Sequence, residues 1–200
     1  MNQSREYRDM ELRMVPHLEG EETQYRVEGY ASTFEPYVLM TIDDVDYSER
    51  IEPTAFDDAD LSDVVFRVDH EGSVYARSSA GTVSVWVDEH GLAQRTDLSK
   101  TQKARDLYAD IEAGNYPKMS FAFTVAEDHF ESETRTRVID RIAKVFDVSP
   151  VSFPANPGTE LSVSTRDYFN GVIEAEKAER LEREKRERQK QKIRILNERR

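Results

Sequence analysis

Alternating apolar and polar positions divide the first 170 residues into short strands. "VVFRVDH" sets Val64, Phe66, Val68 and His70 on one face and Val65, Arg67 and Asp69 on the other. In "MSFAFTV", Met119, Phe121, Phe123 and Val125 form a large apolar face; Ser120, Ala122 and Thr124 form a small one. The large set is expected to point into the core, and the small set to leave room above the sheet. "KVFDVSPVSF" puts Val145, Asp147, Ser149, Val151 and Phe153 on one face. "MELRMVP" and "YRVEGYASTF" are short, apolar-rich and bounded by turn residues, and they also read as strands. "GTVSVWV" and "LAQRTDL" flank the turn-like Asp88-Glu89-His90-Gly91, which makes a hairpin.

The period changes in "TQKARDLYADIEAG". Ala104, Leu107, Tyr108 and Ile111 follow helical spacing, and Gly114 stops the helix. It changes again in the last thirty residues, "GVIEAEKAERLEREKRERQKQKIRILNERR". Acid-before-base pairs four apart recur there: Glu176/Arg180, Glu179/Arg183, Glu182/Arg186 and Glu184/Arg188. Leu181 is the one large apolar residue between Ile173 and Ile193, so a coiled-coil seam is missing and a solvated single helix is expected. The fold class is mostly β with a few helices (α+β): a compact antiparallel, β-barrel-like body over 1–165, followed by a charged helical tail over 166–200.

Charge follows the same division. The chain carries −12 in 200 residues. Residues 171–200 hold 11 basic and 7 acidic side chains, which leaves 17 basic and 33 acidic in the rest. So acidic a body is a poor direct ligand for nucleic acid. The absence of cysteine excludes disulfide frameworks, thiolate metal sites and cysteine nucleophiles. The first fifteen residues lack an apolar signal region, and no run approaches the roughly 18 apolar residues of a membrane span. A soluble, intracellular protein is expected, with no membrane partner.

Three residues stand out as candidate chemistry. Ser120 interrupts an apolar, aromatic strand directly after the turn "GNYP". A serine hydroxyl is a poor nucleophile unless a base lies within hydrogen-bond reach and a third group orients that base. His70 ends a strand beside a turn, a place from which a ring can reach a cleft. Asp147 sits in an otherwise apolar strand, where a lone carboxylate costs several kcal/mol unless paired, and an imidazolium is a natural partner. A partly buried structural histidine, a surface serine and an aspartate that caps a turn or pairs with an arginine are the bland alternatives. Asp69 and Glu71 are nearer His70 in sequence, but neighbours on a strand face opposite ways. His90 reads as a turn residue, and His17 and His129 as solvent-facing.

The ordered set "GYASTFE" (Gly29 to Glu35), "VDHEGS", "GTVSVWVDEHGL", a helix, "GNYPKMSFAF" and "FDVSPVSFPANP" resembles the prohead proteases of tailed phages. The resemblance runs over roughly residues 8 to 165. It implies a fold similar to the herpesvirus assemblins and a serine protease that processes capsid and scaffold proteins during head maturation. His70 would be the base and Ser120 the nucleophile, with Asp147 the best-placed third member. The implied partners are the major capsid protein and a scaffold, fused or separate, with a possible homo-oligomer and self-cleavage. No cofactor or metal is implied, and the place of action would be the host cytoplasm, inside the assembling procapsid. Two rivals stand beside this reading. One is a non-enzymatic assembly or scaffolding factor. The other is a metal hydrolase using "DHE" at 69–71, which lacks ligand spacing on one face, and "DEH" at 88–90, which sits in a turn.

Overall fold

A computed structural model describes residues 5–11, 25–152 and 163–198. The chain divides into two compact units, Met1–Leu161 and Ser162–Arg200. In the first, the strands run β1 (Glu6–Glu11), β2 (Arg26–Thr33), β3 (Tyr37–Ile42), β4 (Val45–Ile51), β5 (Val65–Val68), β6 (Glu71–Arg77), β7 (Val83–Val87) and β8 (Gly91–Asp97). Helix α1 (Gln102–Glu112) precedes the two longest strands, β9 (Lys118–Glu131) and β10 (Thr136–Val151). Leu12–Pro16 of the first expected strand, His17 and Phe153 lie outside the described residues.

These strands form two sheets. The larger runs β1-β9-β10-β4-β3, with the β5–β6 hairpin attached to β10; the smaller is β2-β8-β7. Among the described residues the larger sheet does not close, because no pairing joins β1 to β3. The body is therefore not a barrel, and the expected barrel-like form is corrected to two open sheets. Nor is it wholly antiparallel. β10 is long enough to take β4 alongside Thr136–Ile139 and β5 alongside Asp147–Val148, and both pairings are parallel.

The alternation of β9 holds. Met119, Phe121 and Phe123 enter one core together with Phe66, Val145, Val148 and Ile142. Leu107 and Ile111 of α1 join it, as do Val27 and Leu92 of the smaller sheet. Fully burying each large apolar side chain contributes roughly 1.5–3 kcal/mol. Thr101 caps α1, its hydroxyl accepting the Ala104 N–H at 3.1 Å, and Gly114 takes φ +84° just past the helix end. The β7–β8 hairpin forms as expected. Gly91 is required in it, since a Cβ there would stand 2.1 Å from the Ser32 carbonyl oxygen.

β3, β4, β6 and the first four residues of β1 escaped the sequence reading. β3 and β4 make a hairpin whose turn is Asp43-Asp44, both with positive φ. The usual sequence signal for that turn is Asn-Gly or Asp-Gly, and this pair supplies neither glycine.

In the second unit, α2 (Val163–Glu198) is one helix of 36 residues, about 54 Å long at 1.5 Å per residue. Leu181 is 54% exposed. The ion pairs along it include Arg180–Glu184 and Glu182–Lys185.

Candidate active site

Ser120 stands in the middle of the larger sheet. Its strand lies between β1 and β10, with Asp9 opposite on one side and Ser149 on the other. By alternation its side chain leaves the sheet on the face away from Phe121 and Phe123. The small residues of this face do not leave it open. Ser120 and Ala122 are fully buried and Thr124 is nearly so, which corrects the expectation of free space above them.

His70 is what lies over Ser120. The expected alternation stops at Val68. Val68 pairs with Glu71, so Asp69-His70 is itself the two-residue turn of the β5–β6 hairpin. Both residues have positive φ, +47° and +58°, as a type I′ turn demands. Aspartate and histidine tolerate this region better than most side chains, though less well than glycine. Asp69 ties the turn down. Its N–H donates to the Pro150 carbonyl (3.1 Å), and its carboxylate accepts the Ser152 N–H (2.8 Å) and hydroxyl (3.1 Å). Asp69 thus bonds the end of β10 and Ser152 just beyond it rather than the His70 ring, and it does so from a turn, not from a continuing strand.

Asp147 reaches the same face through a bulge. Simple alternation puts it with Val145. In the structure Val145 opposes Phe123, whereas Asp147 opposes Ala122, and the register shifts between them. The extra residue, Phe146, sends Val145 to the core and Asp147 to the Ser120 face, so the expected sharing of one face by Val145 and Asp147 is corrected.

The three candidates meet. His70 Nε2 lies 2.8 Å from Ser120 Oγ, and His70 Nδ1 lies 2.6 Å from Asp147 Oδ1. A carboxylate has no proton to give, so Nδ1 carries the hydrogen and Nε2 is free to accept one from the serine. Ser149 Oγ donates to the same Asp147 oxygen at 2.7 Å. The Asp147 side chain is 2% exposed and that of His70 15%. The Tyr7 ring packs on the imidazole, with centroids 4.4 Å apart. A hydroxyl, a base and an orienting carboxylate in line are what nucleophilic acyl transfer needs.

Ser149, Tyr7 and the anchoring role of Asp69 were not read from sequence. Ser149 had a visible signal, since it shares the Asp147 face two residues on; Tyr7 had none, because the strand it pairs with, at Ala122, is far away in the sequence. His90 lies in its turn and donates its N–H to Asp88 (2.8 Å). His129 is half exposed and pairs with Asp140 (2.7 Å), which raises its pKa through that hydrogen bond. Among the described residues no three His, Asp or Glu side chains gather as a metal site, and no helix is long and apolar enough to cross a membrane.

The chain's residues 10–172 match the family model described as the caudovirus prohead serine protease. This protein therefore belongs to that family. No curated protein and no solved structure matches it.

Proposed function

We propose that this protein is the serine endopeptidase that cleaves capsid and scaffold proteins, and itself, as the procapsid matures. The observation that carries the reading is the Ser120–His70–Asp147 line, with hydrogen bonds of 2.8 and 2.6 Å. Ser120 Oγ attacks the scissile carbonyl while His70 Nε2 takes its proton. Asp147 holds the Nδ1–H and stabilises the imidazolium that results. His70 then returns the proton to the leaving amine, and water hydrolyses the acyl-enzyme by the same route in reverse. Residues 1–165 act as the protease domain, inside the assembling shell in the host cytoplasm. The tail over 166–200 serves as its packaging or self-cleavage segment.

Co-expression with the capsid precursor tests this, followed by mass spectrometry of the fragments. The wild type is expected to produce defined fragments, and Ser120→Ala none, with an unchanged melting temperature. Cleavage by Ser120→Ala removes Ser120 as the nucleophile. One observation favours a second reading, a non-enzymatic assembly factor: Ser120 is fully enclosed. A serine-reactive fluorophosphonate separates the two readings, because it labels the wild type only if the hydroxyl is activated and reachable.

A further inference from the structure

Arginines in this body commonly have carboxylate partners. Arg77 holds Asp63, Arg95 holds Glu28, and Arg137 holds Glu6. Arg67, like Arg5, Arg26, Arg105 and Arg135, pairs with no carboxylate among the described residues, in a body where acids outnumber bases 33 to 17. One terminal nitrogen donates to the Gly72 carbonyl at 3.0 Å. Among the described residues its Nε is the single buried side-chain nitrogen or oxygen without a hydrogen-bond partner. A buried donor left unmet is destabilising, and an incoming acceptor removes that cost.

Its place in the sheet gives that donor a context. β5 lies parallel to β10, with Val65 beside Asp147 and Phe66 beside Val148. The Asp69 N–H bond to Pro150 shows that this register continues to the end of the hairpin. Arg67 therefore shares the Val65 face and stands in the row of Ser149, which is itself opposite Ser120. The row Arg67–Ser149–Ser120 crosses three strands, so the Cα atoms of Arg67 and Ser120 are about 10 Å apart at about 4.8 Å per strand. The Gly72 contact holds the guanidinium at the hairpin tip, two residues beyond His70.

We infer that Arg67 is a specificity-determining residue, reading an acidic side chain of the substrate close to the scissile bond. The inference rests on the proteolytic reading above. A guanidinium fork binds a carboxylate in two parallel hydrogen bonds, and a carboxylate is the acceptor this arginine lacks among the described residues.

Degenerate peptide libraries, with cleavage read by mass spectrometry, provide the test. The wild-type protein should enrich aspartate or glutamate at one position flanking the cut. For a matched pair of peptides with glutamate or glutamine there, the kcat/KM ratio should favour glutamate by at least about tenfold. Arg67→Gln should collapse that ratio, and Arg67→Glu should shift preference to a lysine peptide. Arg67→Lys, which keeps the charge, should retain part of the ratio, and it decides the matter if Arg67→Glu fails to fold. Cleavage without acidic enrichment, or the same ranking in the wild type and Arg67→Gln, overturns this inference alone. A wild type that cleaves neither the library nor the capsid precursor overturns the proteolytic reading with it.

Discussion

The larger sheet buries charge on both faces, and the two burials are built differently. On the core side, Glu49 is fully enclosed and meets permanent cations. Arg8 donates to both of its oxygens, Arg137 reaches it at 3.1 Å, and the Tyr37 hydroxyl completes the set. Glu6 joins through the same two arginines, at 2.7 Å each. On the opposite side, Asp147 is equally enclosed but meets no arginine or lysine among the described residues. Its partners are an imidazole and a serine hydroxyl. A carboxylate held by guanidinium groups cannot exchange its partner's proton at any ordinary pH. One held against an imidazole stabilises a charge that comes and goes, which is what a general base requires. The same buried element is thus held by fixed charges on one face and by the proposed catalytic base on the other, and the partner makes the difference.

The strongest way to break this comparison is Asp147→Asn. It keeps shape and removes charge, so kcat is expected to fall about 10⁴-fold with the fold retained. Near-normal turnover of the capsid precursor would remove the orienting role. Glu49→Ala should behave in the opposite sense. It leaves Arg8 and Arg137 buried without their anion and should cost about 3–5 kcal/mol in urea unfolding. A loss under about 1 kcal/mol would show that the network does not hold β1, β4 and β10 together.

Next in size is an acid dependence from Glu6. Burial pushes its pKa up, but Arg8 and Arg137 together outweigh that and bring it from an ordinary 4.5 to about 2. A depressed folded-state pKa stabilises the fold above the unfolded value. That stabilisation, about 3 kcal/mol, should fade as pH falls from about 4.5 to about 2. Glu6→Gln should flatten that part of the stability-versus-pH curve; an unchanged slope counts against the assignment. Smallest is Asp69→Ala, which frees the His70 turn from Ser152. Turnover should drop about tenfold, the equivalent of one lost charge-assisted hydrogen bond. Asp69→Asn, which keeps an acceptor and tolerates positive φ, should recover most of it.

Alternation along the chain was enough to place Phe66, Phe121 and Phe123 in the core and to separate Ser120 from them, because side-chain direction in a regular strand is a local property. The helix spacing of Ala104 to Ile111 and the stop at Gly114 were legible for the same reason. The misfit of a lone Asp147 among apolar residues was visible too, since the cost of burying a carboxylate depends on its surroundings and those were written in the sequence.

What composition and period could not supply was anything created by departure from regularity or by distance along the chain. The bulge at Phe146 turns Asp147 to the Ser120 face, and nothing local marks it. The left-handed turn at Asp69-His70 aims the imidazole, yet the sequence reads there as continuing strand. Fifty residues separate His70 from Ser120 and seventy-seven separate it from Asp147. The sequence alone determined which residues were chemically able to form the line. Only the pairing of β5 and β9 to either side of β10, with one bulge and one tight turn, decided that they meet, because a hydrogen bond tolerates errors of tenths of an ångström and strand periodicity does not carry that precision across a sheet.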